Sequence, residues 1–408
     1  MGTTIRTNTE TNIIDIFVRA CARCVGSFPS NKLSGSVVSS RLLRMLCGKQ
    51  ATRLCLGLIS VVIVCKICSI YYTNSLLQIV EGESNSSSPT ANRIERRFAV
   101  FGCSTPERDS HRGFDYVFYL PLTVLAWQRI GFESIVLIIG EKSEWRVHPI
   151  LSYVLDHLES QPDTTVIFIP AKMENRMMLS QTARIFVANM KEFPGIATDH
   201  IITTDSDLWP LRKEHYYLPH GIDRSLILVH SQCCEPFTFN GKSYPMLPMS
   251  HIRASAATWK EIVNINSSFA NDSASILNYF QQFFGERVHN RVIFASEDWY
   301  LDQKLVSIHV AQWISQNSQD YVYKVSDEGF KRIDRINWNA DRIQPSSFGN
   351  YFDTHLLVDG FMPDKWESIK PLLNLMYNKS PFRSDWCNRY ASSFYKIFIK
   401  WKSNSNSS

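Results

Sequence analysis

From Arg97 onward, short apolar runs alternate with longer amphipathic ones. Residues 98–101 predict a first strand, broken by G-C-S-T-P, and residues 114–130 carry a helical period interrupted by Pro121 and closed by Gly131. Residues 134–139 form a second, wholly apolar strand, 149–158 a helix, and 164–169 a third strand backed by Pro170. Residues 177–193 then predict a long amphipathic helix ending at Pro194-Gly195. A fourth strand follows at 201–204 and stops abruptly in Asp205-Ser206-Asp207. Strand–helix alternation of this kind predicts an α/β fold, a mostly parallel Rossmann-type sheet with helices on both faces. Ligands of such sheets bind outside the carboxyl ends of the strands, where Asp205 and Asp207 fall.

Beyond Pro210 the pattern is less regular. Residues 225–230 predict another strand, 237–249 a loop with a turn at Asn240-Gly241, and 254–263, 274–284 and 297–313 three helices. The last part is aromatic-rich with interspersed charges. A regular first half beside an irregular second suggests a nucleotide-binding part and a part that shapes a second substrate's pocket.

Net charge is +5, unevenly placed: residues 1–96 hold 11 basic and 5 acidic side chains, residues 97–408 hold 32 and 33. The large part is near neutral, which excludes a nucleic-acid footprint. Residues 54–72 are 19 residues with one charge, Lys66, and match a membrane span of about 20 residues. Arg41, Arg44, Lys49 and Arg53 upstream make that side cytoplasmic. The expected organisation is a disordered cytoplasmic tail (1–53), a transmembrane signal anchor (54–72), a stem (73–96) and a lumenal domain (97–408), in type II topology. Cys47 and Cys55 flank the span. Cys103, Cys233, Cys234 and Cys387 fall on the lumenal side, and four cysteines allow three pairings. Sequons at Asn85, Asn266, Asn271 and Asn378 suit a lumenal glycoprotein.

Alternation along a strand sends Asp205 and Asp207 to one side. Two carboxylates that close stay ionised together only around a cation, and a hard divalent metal is the natural one. Arg184, on the helix before that strand, is placed to pair with a diphosphate oxygen or an aspartate. Glu297, Asp298, Asp302 and Gln303 gather three carboxylates and an amide within seven residues. His355 is a donor that an oxygen-liganded Mn²⁺ also accepts, and Lys365, ten residues on, answers a phosphate. Trp209, Trp299, Tyr300 and Trp313 are candidates for stacking on sugar faces.

An arginine on a helix, a strand into Asp-x-Asp, then Asp-Gln, then a late His followed by Lys-Trp resembles the GT-A glycosyltransferases. The order is most similar to the retaining galactosyltransferase and glycogenin-like family. The anchor and stem resemble those of its Golgi members. The resemblance implies a GT-A fold, a nucleotide-sugar donor, a UDP-linked one, and a glycan, glycoprotein or glycolipid acceptor. It implies Asp205, Asp207 and His355 as ligands of Mn²⁺ or Mg²⁺, and Arg184, Asp205 and Lys365 as nucleotide and diphosphate contacts. Asp302 and Gln303 would stand beside the anomeric carbon. Inverting chemistry needs a base among Glu297, Asp298 and Asp302; retaining chemistry does not. Two other readings stay open: a glycoside hydrolase using two of these carboxylates, and a membrane-tethered carbohydrate-binding protein on a transferase scaffold. The localisation implied is the Golgi or ER membrane.

Overall fold

The computed structural model describes residues 95–106, 113–217, 225–232, 234–265, 272–289, 296–326, 331–339 and 343–405. The expected tail, span and nearly all of the stem lie outside them, as do Cys233 and the sequons at Asn85, Asn266 and Asn271. Among the described residues no helix is long and apolar enough to cross a membrane. All of them belong to one compact unit, Arg93–Ser408.

The chain begins with β1 (Arg97–Ser104), α1 (Phe114–Arg129), β2 (Glu133–Ile139), α2 (Lys142–Val147), α3 (Pro149–Ser160) and β3 (Thr164–Ile169). Next come α4 (Arg176–Thr182), β4 (His200–Thr203), β5 (Leu208–Pro210), β6 (Leu226–Leu228) and the hairpin β7 (Phe237–Phe239) and β8 (Lys242–Tyr244). Then follow β9 (Ile252–Ser255), α5 (Ala256–Val263), α6 (Ser273–Phe284), α7 (Leu301–Gln316) and β10 (Val322–Lys324). The last elements are β11 (Lys331–Ile333), α8 (Pro345–Phe348), β12 (Tyr351–His355), α9 (Pro363–Met376) and α10 (Pro381–Ser405).

Seven strands form the main sheet in the order β10-β6-β9-β4-β1-β2-β3. Neighbours pair in parallel except β9, which runs antiparallel to both β4 and β6. The mostly parallel α/β sheet read from the sequence is therefore present. Alternation along the central strands buries both faces. Ala99, Phe101, Cys103, Val136 and Ile138 join the core beneath α1, α3 and α10, while Phe98, Val100, Ile135, Leu137 and Ile139 join the one beneath α4, α5 and α7.

Several expected boundaries move. Pro121 sits inside an unbroken α1, since proline removes one ladder bond and the flanking apolar side chains are all buried. The helix expected over 177–193 is one short helix, α4, followed by a 3-10 segment at Ala183–Asn189. Residues 254 and 255 end strand β9, and the helix starts only at Ala256, where Ser255 caps the Thr258 N–H. The helix expected from residue 297 opens as a 3-10 turn, Glu297–Tyr300, before α7. Asn240 and Gly241, both at positive φ, close the β7–β8 hairpin inside the expected loop. The aromatic C-terminal part is core: Tyr390 stacks on Tyr153 and Trp386 and donates its hydroxyl to the Phe118 carbonyl at 3.0 Å.

Cys103 and Cys387 are free and buried, so neither takes part in a disulfide, whereas Cys234 is disulfide-bonded.

Gly102 in β1 meets the backbone of α4 directly, and a Cβ added there would stand 2.1 Å from the Ser180 carbonyl oxygen. Gly102→Ala is expected to lower stability by about 1–3 kcal/mol or more, because backbone rather than a flexible side chain must yield. Urea unfolding of the variant measures it; an unchanged midpoint would refute this packing.

Candidate functional site

The Asp-Ser-Asp turn is held from both sides. The Thr204 N–H bonds the Val100 carbonyl at 2.8 Å, and Leu208 N–H returns to the Asp205 carbonyl at 3.2 Å. Buried Thr123 of α1 donates to the Ser206 carbonyl at 2.6 Å and accepts the Trp209 indole N–H at 3.1 Å. Trp209 and Trp313 are thus core side chains with satisfied N–H groups, the latter on Glu261 at 3.1 Å, and neither is available to stack on a sugar.

A second, three-stranded sheet, β11-β12-β5, completes the site. β5 starts directly after Asp207 and pairs antiparallel with β12 in a register that sets Leu208 opposite His355. The Leu356 N–H bonds the Asp207 carbonyl at 2.9 Å. β11 pairs in parallel with β12, setting Ile333 beside Thr354, so the chain leaving β11 delivers Asp334 and Arg335 to the same edge. His355 Nε2 lies 3.6 Å from Asp207 and its Nδ1 3.6 Å from Asp334. Arg335 Nη2 bonds the other Asp207 oxygen at 2.5 Å.

Arg184 forms the other half of the site. Its Nη1 bonds Asp205 at 2.5 Å and the Thr204 carbonyl at 2.6 Å, its Nη2 bonds Asp302 at 2.9 Å, and its Nε bonds the Gln181 carbonyl at 3.0 Å. The guanidinium is buried and its faces are used, so it fixes two carboxylates rather than standing open for a diphosphate. Asp302 also accepts the Gln303 N–H at 2.7 Å, and Gln303 is half-buried.

The remaining candidates are elsewhere. Arg287 bonds Asp298 at 2.7 Å and exposed Glu297 at 3.1 Å, so both acids are pinned to a neighbouring turn. Lys365 is exposed in the first turn of α9, and its ammonium lies 3.6 Å from Asp364. Sequence reading missed Asp334 and Arg335, which carry no motif and reach Asp207 only through the pairing of β11, β12 and β5.

The charges settle one another. Burial alone would raise the Asp207 carboxyl, but Arg335 and His355 outweigh it and hold it well below the usual carboxylate range. For Asp205, burial is likewise outweighed by Arg184. For Asp302 burial prevails over the same guanidinium and the carboxyl is raised. Burial works against His355 protonation, yet Asp207 and Asp334 push it up to about 9. Asp334 is lowered to about 2, chiefly by its hydrogen bond with His355.

Two carboxylates and an imidazole are donors that Mn²⁺ or Mg²⁺ accepts, so the chemistry of Asp205, Asp207 and His355 fits such an ion. Their arrangement in this state is that of ion pairs: Asp207 faces Arg335 and His355, and Asp205 faces Arg184. Among the described residues no three His, Cys, Asp or Glu side chains are gathered closely enough to hold a metal.

Two outcomes follow from the ion pairs. Arg184→Met strands Asp205 and Asp302 together and is expected to cost about 3–5 kcal/mol in a urea titration; a loss below 1 kcal/mol would show the pairs are not formed. His355 has a folded-state value raised above its unfolded one, so its stabilisation is full below about pH 6.5 and is lost as pH rises through about 9. In chelator, the stability gap between wild type and His355→Gln is expected to shrink by about 3 kcal/mol between pH 6 and pH 9.5. A gap that stays constant across that range would rule out the charged imidazole.

No protein family and no curated protein matches the chain. Among solved structures, it is similar to the WbbM bifunctional glycosyltransferase in its apo form at 12% identity and a TM-score of 0.33, over 76% of this chain and 53% of that one. It thus spans about half the length of that protein. It is similar to mouse xyloside xylosyltransferase 1, apo form, at 11% identity and a TM-score of 0.30, over 64% of this chain and 98% of that one. It is similar also to a 4-diphosphocytidyl-2C-methyl-D-erythritol synthase at 13% identity and a TM-score of 0.28, over 52% and 99%. At such scores no function passes from any of these proteins to this chain, and its chemistry is read from its own residues.

Proposed function

We propose that this chain is a type II membrane glycosyltransferase of the Golgi or ER that moves a sugar from a nucleotide-diphosphate donor, UDP-linked, to a glycan, glycoprotein or glycolipid hydroxyl. Residues 1–53 are its cytoplasmic tail, 54–72 its membrane anchor, 73–96 its stem and 97–408 its lumenal catalytic domain. The observation that carries this reading is the site at the carboxyl edge of β4. There Asp205 and Asp207 stand among Arg184, Arg335 and His355, where an open parallel sheet places its ligand. Bound Mn²⁺ or Mg²⁺ would be held by Asp205, Asp207 and His355 and would neutralise charge on the departing diphosphate.

In transfer, the donor's C1–O bond breaks with its electron pair left on the β-phosphate oxygen, and the acceptor oxygen bonds C1. The hydroxyl proton passes to the departing phosphate. That destination is favoured because each carboxylate expected as a base is already paired, Glu297 and Asp298 with Arg287 and Asp302 with Arg184. Gln303 follows Asp302 at the start of α7 and is the amide proposed to face the sugar. A cavity of about 360 Å³ bordered by Phe237, Phe283, Phe284 and Lys304 and by the Arg287–Glu297 ion pair opens beside the start of that helix and is proposed to receive the acceptor.

The test is release of nucleoside diphosphate by the full-length chain from a panel of UDP-, GDP- and CDP-sugars. Asp207→Asn is expected to lower turnover by about 10²–10³-fold, the scale for removing one electrostatic partner of a developing charge. Transfer that is undiminished in both Asp205→Asn and Asp207→Asn would remove this site from the chemistry, and no release of nucleoside diphosphate from any sugar of the panel would leave the carbohydrate-binding reading in its place.

A further inference from the structure

Arg335 differs from the other arginines that hold carboxylates near the site. Arg184 is 7% exposed and bonded through Nε, Nη1 and Nη2. Arg332 clasps Asp353 with Nε and Nη2, both at 2.7 Å. Arg335 holds Asp207 through Nη2 alone, lies beside the Tyr116 hydroxyl, is 18% exposed, and its buried Nε has no hydrogen-bond partner among the described residues. It also sits on a 3-10 turn, Arg335–Asn337, whose next residue, Ile336, is 85% exposed. A guanidinium carries five donors in a planar fork suited to phosphate, and the Nε donor of this one is unspent.

Its acceptor is the same carboxylate that the proposed metal site requires. Without Arg335, buried Asp207 would keep only His355 beside it, and His355 is itself a proposed metal ligand, so departure of Arg335 is expected to accompany arrival of another positive charge. Leaving the guanidinium without an anion carries a like penalty, and the donor's diphosphate is the anion that relieves it.

We propose that Arg335 is a displaceable counter-ion: it holds Asp207 until a divalent cation takes that carboxylate, and the freed guanidinium then binds the donor's diphosphate. The proposal rests on the glycosyltransferase reading above. It makes metal and nucleotide binding mutually dependent, since each ligand relieves the charge that the other exposes.

The experiment is calorimetric titration of the full-length chain with Mn²⁺ alone, with UDP, GDP and CDP each in chelator, and with the tightest of these in saturating Mn²⁺. In the wild type the nucleotide is expected to tighten Mn²⁺ binding by about tenfold or more, a coupling of ordinary size. Arg335→Gln is expected to move the two affinities in opposite directions. Mn²⁺ alone binds about tenfold or more tighter because Asp207 is released, and the nucleotide in saturating Mn²⁺ binds about 10–100-fold weaker through loss of a charged hydrogen bond. Arg335→Lys, which keeps the charge, is expected to fall between, and it carries the test should the glutamine variant misfold. Unchanged Mn²⁺ affinity in both variants, or a shift of both ligands in the same direction, overturns the proposal while leaving nucleotide binding intact. Failure of all three nucleotides to bind under every condition removes the glycosyltransferase reading and this proposal with it.

Discussion

The small sheet β11-β12-β5 is the constraint on which the site depends. Its three strands come from residues 208–210, 331–333 and 351–355, and their pairing converts a strand end into a charged cluster. Antiparallel pairing of β5 with β12 puts His355 beside the residue after Asp207, and parallel pairing of β11 with β12 brings Asp334 and Arg335 to the same end. A one-residue slip would turn each side chain to the other face. The register is locked by buried charge: Asp353, in the middle of β12, accepts bonds from Arg332 of β11 and from His251 before β9, both at 2.7 Å. Ser250 meets the other His251 nitrogen at 2.6 Å, and Ser250, His251 and Asp353 are all buried, so this chain fastens the small sheet to the main one. Breaking one member would strand a buried charge, which is why the register holds.

The site is made of acids and bases that hold each other in place. Arg184 bonds two carboxylates whose surroundings differ, Asp205 at 31% exposure and Asp302 at 3%. Burial disfavours ionisation of both, and the guanidinium overcomes it only at the more exposed one. One arginine thereby sets two acids apart in acidity while fixing their positions. Arg335 and His355 do the same service for Asp207 from the other side.

Where sequence expectation and structure part, the cause is tertiary in each case. The amphipathic period over 177–193 is real, but after Thr182 the chain tightens into 3-10 geometry, where buried Arg184 turns its guanidinium onto Asp205 and Asp302. Strand β9 was hidden because Ile252–Ser255 is short and runs directly into a helix, and it becomes a strand only between β4 and β6. Glu297 and Asp298 stand near Asp302 in sequence, and in space both pair with Arg287 from the turn after α6, a partner that sequence proximity does not reveal.

The sequence by itself determined the class of fold, because alternation of apolar strands with amphipathic helices is a local property written every few residues. It also placed Asp205 and Asp207 at a strand's carboxyl end and picked out Asp302 and His355 as their company. It left Asp334 and Arg335 invisible, and of the two partners it offered Arg184, a diphosphate oxygen or an aspartate, the structure shows the aspartates. Those matters rest on which strand pairs with which and in what register. Such pairing, between β5 and β12 across more than a hundred positions, runs through backbone hydrogen bonds common to every residue type, so only the tertiary structure decided them.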